Sequence, residues 1–176
     1  MVAIAVLGVL LAIAVPNFRS VIQGNRLSAG SNELLAALQF ARMESIRRNV
    51  RVTVCQSGDG LTCTTSGNWA GWLVFADENR NNTPNGNEPL RMARTAPSVI
   101  VRDSAAITSD RFNFYPDGLA RTGVAGSALL NARIRTCVTG TSVRPNARDV
   151  AIVAGSRMSV LQVSDNSTCT ATVPNS

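Results

Sequence analysis

Residues 1–15, MVAIAVLGVLLAIAV, carry no charged and no strongly polar side chain, and the first charge in the chain is Arg19. Behind Pro16 the pattern narrows to one apolar stripe, with Leu27, Leu34, Leu38 and Ala41 in line and Leu35 beside them. That spacing is helical. Gly24 and Gly30 weaken the helix locally, whereas Glu33 to Arg48 is dense in good helix formers. The pattern predicts one helix from Met1 to about Arg48, apolar on every side in its first third and amphipathic beyond, with a kink permitted at Pro16. After Arg48 the chain breaks into short alternating runs separated by Gly, Asn, Pro and Ser. The predicted strands are Val50–Cys55, Trp72–Ala76, Val99–Arg102, Arg111–Tyr115, Ala132–Val138, Asp149–Val153 and Met158–Val163. In NARIRTCV, Ala132, Ile134, Thr136 and Val138 face one way and Arg133 and Arg135 the other, which predicts an antiparallel sheet with one wet face. The last residues, TATVPNS, read as a loose tail beyond Cys169. The expected fold class is α+β, a long helix packed on a β-rich head.

The opening run fits no ordinary N-terminal segment. A secretory signal needs a basic stretch before its apolar run, and none is present; VPNFRS is also a poor cleavage site. Fifteen apolar residues reach about 22 Å as a helix, short of a hydrocarbon core of roughly 30 Å. The expectation is therefore a membrane or filament helix cut short at its N-terminal side. Segments 1–24, 25–49 and 50–176 then divide the chain into a membrane and polymerisation half-helix, an amphipathic half-helix and a head.

Composition narrows the chemistry. All 17 basic residues are Arg; there is no Lys and no His, and the net charge is +6. Lack of His removes Ser-His-Asp and Cys-His nucleophile pairs and imidazole zinc sites; lack of Lys removes Schiff bases and Walker-type phosphate binding. The remaining carboxylate pairs, Asp77/Glu78 and Asp110/Asp117, have no sequence feature bringing them together as an acid–base site, so no enzyme activity is expected. The basic charge is compatible with a polyanion partner and equally with the base composition of a genome. Trp69, Trp72 and Phe75 read as core, and Tyr115 and Asp117 in YPDG as a turn.

Four cysteines, Cys55, Cys63, Cys137 and Cys169, allow three pairings, and neither neighbouring spacing matches C-x-x-C. Joining sequence neighbours, Cys55–Cys63 and Cys137–Cys169, closes a short and a long loop worth about 2.5 and 3.5–4 kcal/mol by loop entropy. That pairing is carried forward as surface staples, with the other two still open. Two disulfides imply an oxidising compartment.

VAIAVLGVLLAIAVPNF resembles the N-terminal helix of type IV pilins and of the pseudopilins of type II secretion. It lacks the leading Phe and early Glu of that family. WAGWLVFADENRNNTPNGNEPLR, FNFYPDG and RDVAIVAGSRMSV followed by Cys169 further resemble the GspH/FimT/FimU branch of minor pilins, and their order along the chain carries the likeness. The resemblance implies a minor pilin or pseudopilin, held by its helix in a bacterial inner membrane with the head in the periplasm. From there it enters a pilus or pseudopilus, at or near the tip, with other pilins as partners. Leu7, Leu10, Leu11, Ile13, Val15, Pro16 and Phe18 are the expected membrane and polymerisation residues. The paired cysteines incline the reading toward a type IV pilus.

Two further clusters are candidates. Asp77, Asn79, Asn81 and Glu88 occupy positions one, three, five and twelve of an EF-hand-like calcium pattern, with Asn82 where glycine is usual. Strand flanks break that context, and a polar hairpin loop is the favoured alternative. Arg133, Arg135, Arg144, Arg148 and Arg157 form the possible duplex-DNA surface. Members of the branch that take up DNA resemble one another in a C-terminal G-R-x-R motif; Gly155-Ser156-Arg157-Met158 loses both of its arginine positions. A solvated face, or a contact with a neighbouring pilin, is the preferred account. At the base of the helix, Arg42, Arg47, Arg48 and Arg51 with Glu44 are expected either to meet acidic groups of adjacent subunits or to keep the surface wet.

Overall fold

The computed structural model describes residues 2–65, 67–122, 126–140, 143–153 and 155–176, with the backbone alone for 4–17. A single helix, α1 (Val2–Arg48), continues through Pro16 and leads into β1 (Val52–Gln56), β2 (Gly71–Ala76), β3 (Pro89–Arg94) and β4 (Val99–Asp103). A 3₁₀ turn over Thr108–Asp110 precedes β5 (Arg111–Phe114), β6 (Ala120–Thr122), β7 (Ala132–Val138), β8 (Ala147–Val153) and β9 (Arg157–Val163). They form two antiparallel sheets, one ordered β3-β2-β1-β5-β6 and the other β4-β7-β8-β9.

The helical stripe packs as its spacing predicts. Leu27, Leu34, Ala37, Leu38 and Ala41 are fully buried against Val52, Val54, Trp72, Val74, Phe112, Phe114, Ile134, Val150 and Ile152 of the two sheets. Each Leu so buried contributes about 1.5–3 kcal/mol of transfer free energy. The helix stops where Asn49 takes a left-handed backbone, φ 55°, and donates its N–H to the Ile46 carbonyl. Asparagine tolerates that conformation better than other non-glycine residues.

Three expectations need correction, and two strands lie outside the predicted set. Neither sheet has a wet outer face in its central strands. All five residues of β1 and all six of β2 are buried, and in β7 only Arg133 is less than buried. The outer face of the first sheet is closed by Leu73, Phe75 and the Cys55–Cys63 disulfide, and that of the second by Cys137, Ala147 and Cys169 with Ile100 and Val163. The disulfides thus fill small apolar clusters, where surface staples were expected. The C-terminal residues are not loose either. Val173 is buried, the carbonyls of Cys169 and Ala171 accept from Arg102, and the Ser176 hydroxyl donates to the Ala132 carbonyl at 2.7 Å. Finally, β3 and β6 were not anticipated: PLRMAR has a proline and two arginines on an edge, and ART is three residues long.

Candidate functional site

The free part of α1 is the first candidate. Beyond the head, Phe18, Val21 and Ile22 are exposed, Phe18 to 69%. Among the described residues no helix is long and apolar enough to cross a membrane. The side chains of Leu7, Leu10, Leu11, Ile13, Val15 and Pro16 lie outside the described residues.

At the base of the helix, the basic cluster is satisfied within the chain. Glu44 accepts from Arg47 at 2.7 and 2.8 Å and from Arg48 at 2.7 Å. These hydrogen bonds hold its carboxyl down to about 2, against desolvation acting the other way. Arg42 donates to the Ser156 carbonyl at 2.9 Å, and Ser45 to the Tyr115 carbonyl at 3.0 Å. Arg51 pairs with the buried Asp77 carboxylate. Together they weld the helix end to both sheets.

The arginines of the second sheet fall into two groups. Arg135 sits on the outer face of β7 with its side chain 8% exposed, forked onto Asp149 at 2.6 and 2.9 Å and bonded to Asp165 at 3.0 Å. The Asp149 bonds, then those of Asp165, raise its basicity still further against desolvation. Arg133 lies 3.6 Å from the same Asp149. Arg144 donates to the Asp165 carbonyl at 3.1 Å, and Arg148 to the carbonyls of Pro145 and Ala147. Arg157 opens β9 and is exposed. The structure therefore commits Arg135 to the fold and leaves Arg144, Arg148 and Arg157 without a carboxylate partner among the described residues.

In the Asn-rich loop, each candidate calcium residue turns one side-chain oxygen to a backbone N–H, while Asp77 Oδ1 is buried without a hydrogen-bond partner among the described residues. Asp77 Oδ2 takes that of Asn82, Asn79 Oδ1 that of Asn81, Asn81 Oδ1 that of Thr83 and Glu88 Oε2 that of Asn85, at 2.8–3.1 Å. These are side-chain turns of the kind Asn and Asp favour. Asp77 already faces a guanidinium, and among the described residues no group of three or more His, Cys, Asp or Glu side chains is placed to hold a metal.

One carboxylate pair was not legible in the sequence. Burial, and then the negative charge of Asp110, push the Asp103 carboxyl up to about 6; burial raises that of Asp110 as well. The Trp69 indole N–H lies near both, outside good hydrogen-bond geometry for either. Of the two carboxylate pairs weighed in the sequence, Asp77/Glu78 and Asp110/Asp117, Asp77 meets Arg51 and Asp117 meets Arg121.

Against known proteins, the sequence profile of the family described as type II transport protein GspH matches residues 30–157. No curated protein matches the chain. Two crystal structures of the Pseudomonas aeruginosa (strain PAO1) type IV minor pilin FimU share its fold. The form in space group P65 has a TM-score of 0.53 and 18% identity, covering 77% of this chain and 92% of that one. The P21 form has a TM-score of 0.55 and 19% identity, covering 78% and 89%.

Proposed function

The chain belongs to the family of type II transport protein GspH, and on that premise we propose that it serves as a minor pilin-type subunit of a type IV pilus or type II secretion pseudopilus, at or near the filament tip. The observation that carries this reading is the division of α1. From Leu27 onward its apolar stripe is buried by the head, whereas Phe18, Val21 and Ile22 stand exposed on the segment before it. An apolar helix that its own domain does not cover needs lipid or other helices around it. In this reading it rests in the inner membrane, head in the periplasm, and exchanges lipid for the helices of neighbouring subunits during assembly. The oxidising compartment that its disulfides require agrees with that placement.

Leu11→Asp tests it. A carboxylate at the centre of a membrane helix costs about 2.5–3.5 kcal/mol on insertion, beyond the lost apolar side chain. The expected outcome is a fall of at least about 100-fold in the amount of the subunit recovered with sheared filaments. Normal incorporation would overturn the proposal.

Arg157, exposed on β9, with Arg144 and Arg148 nearby in sequence, favours duplex-DNA binding as a second reading. It predicts salt-sensitive binding that is lost in Arg148→Ala/Arg157→Ala, two changes that leave the Arg135 network intact. Binding that is absent at low salt removes it.

A further inference from the structure

Four strands edge the two sheets, and three of them are closed. β3 starts at Pro89, carries Arg91 and Arg94 and has a register shift against Val74/Phe75. β6 is three residues long and bridged by Leu129. β4 accepts the Trp69 N–H at the Val101 carbonyl, 2.9 Å. Proline, charge, bulges, shortness and cover are the devices by which proteins stop an edge from pairing with another chain. Of these β9 has only a single charge. It runs seven residues in unbroken register with β8, its one charge is Arg157 at the first position, and Leu161 is exposed on it. Among the described residues its backbone makes no hydrogen bond beyond that ladder. In an antiparallel pair, alternate residues of an edge strand turn N–H and C=O outward, so β9 offers a row of free groups.

A groove adjoins this edge. Gln39, Arg42, Met43 and Ile46 of α1 form it with Ser156 and Met158, as a shallow, open depression of about 260 Å³. Met43 is 59% and Ile46 52% exposed. Methionine lines surfaces that must accept more than one side chain, because its thioether is flexible and polarisable. A free strand edge beside an apolar groove is the arrangement that captures an extended peptide: the backbone supplies pairing, and the groove reads alternate side chains.

We infer that β9 and the Met43–Ile46–Met158 groove form a strand-docking site for an extended segment of a different subunit, one with apolar side chains toward the groove and a carboxylate for Arg157. Charge selects the occupant. The charged residues of β9 and of the groove are Arg157 and Arg42 alone, and the β9 strand of a second copy, RMSVLQV, has no carboxylate to offer either of them. The inference rests on the proposed function in one respect, that the strand comes from a neighbour in a filament.

The test places a photo-crosslinking amino acid at Ser159, at Leu161 and, as a control, at Met92 on β3 in the full chain, in cells assembling filaments. Hydrogen exchange of β9 in detergent micelles is then compared with that in recovered filaments. Expected are cross-links from Ser159 and Leu161 to positions two residues apart in another subunit, none from Met92, and at least about 100-fold slower exchange of the outward β9 amides in the filament. Arg157→Glu should incorporate yet lose that protection at least tenfold. Incorporated chain with unchanged β9 exchange, or with cross-links out of register, overturns this inference and leaves the filament reading standing. Cross-links to a second copy overturn the assigned occupant. Failure of the unmodified chain to enter filaments overturns both.

Discussion

Removing Arg135 should cost more stability than removing any other arginine. Its guanidinium is held by two carboxylates, Asp149 at 2.6 and 2.9 Å and Asp165 at 3.0 Å, with side chains 0% and 1% exposed. Arg135→Ala leaves both with less compensation. Asp149 keeps Arg133 at 3.6 Å, and Asp165 keeps the N–H groups of Asn166 and Ala171 at 2.7 and 3.1 Å. Breaking such a buried network from one side costs about 3–5 kcal/mol. That is a large part of the 5–15 kcal/mol typical of a folded domain. At roughly 2–4 °C per kcal/mol for a chain of this size, Tm falls by roughly 6–20 °C. Trp69 and Trp72 are buried in the core and report unfolding by fluorescence, so urea titration of the full chain in detergent measures the loss directly. The variant Arg135→Met/Asp149→Asn/Asp165→Asn, which removes all three charges together, should recover most of it. A loss below about 1 kcal/mol for Arg135→Ala, or a triple variant weaker than the single one, would refute the account of this site.

Three further outcomes follow from other features. Cys55→Ser/Cys63→Ser should lose about 2.5 kcal/mol and Cys137→Ser/Cys169→Ser about 3.5–4 kcal/mol, since the longer loop gains more freedom when unfolded; paired urea midpoints check the order. The raised Asp103 carboxyl takes up its proton in the folded state near pH 6, earlier than in the unfolded chain near 4, so the folded state gains stability as pH falls through that window. Asp103→Asn should therefore stabilise at pH 7.5 by up to about 1 kcal/mol, discounted for solvent screening, and change nothing at pH 4. Val173→Asp, which puts a charge into a buried position, should destabilise by at least about 2 kcal/mol and speed hydrogen exchange in β7; unaltered exchange would mean that the tail contributes nothing.

The helix and its stripe were legible because a 3.6-residue period over many turns leaves little else possible, and Leu27, Leu34, Leu38 and Ala41 are all buried. Strands with strong alternation were legible for the same reason. What local pattern could not show is what covers the second face of a sheet. Arg133 and Arg135 alternate correctly out of the core, yet Arg135 is buried because Asp149 and Asp165, 14 and 30 residues along the chain, arrive to meet it. The Asp103–Asp110 pair and the packed C-terminal residues were hidden likewise, since each depends on contacts that no local pattern encodes, the latter between the chain's end and strands 44–69 residues earlier. In the Asn-rich loop, Asp77, Asn79, Asn81 and Glu88 match two patterns at once, and their backbone partners favour the turn-making one.

The long side-by-side seam between α1 and the sheets also has a mechanical meaning. From Leu27 to Ala41 the buried stripe runs parallel to the helix axis, and Arg42 and Ser45 pin its far end to the carbonyls of Ser156 and Tyr115. A pull along that axis cannot peel these contacts apart one at a time; it loads them together, in shear. The head would then ride on its helix under tension as one body, and the first element to yield under load would lie elsewhere in the chain.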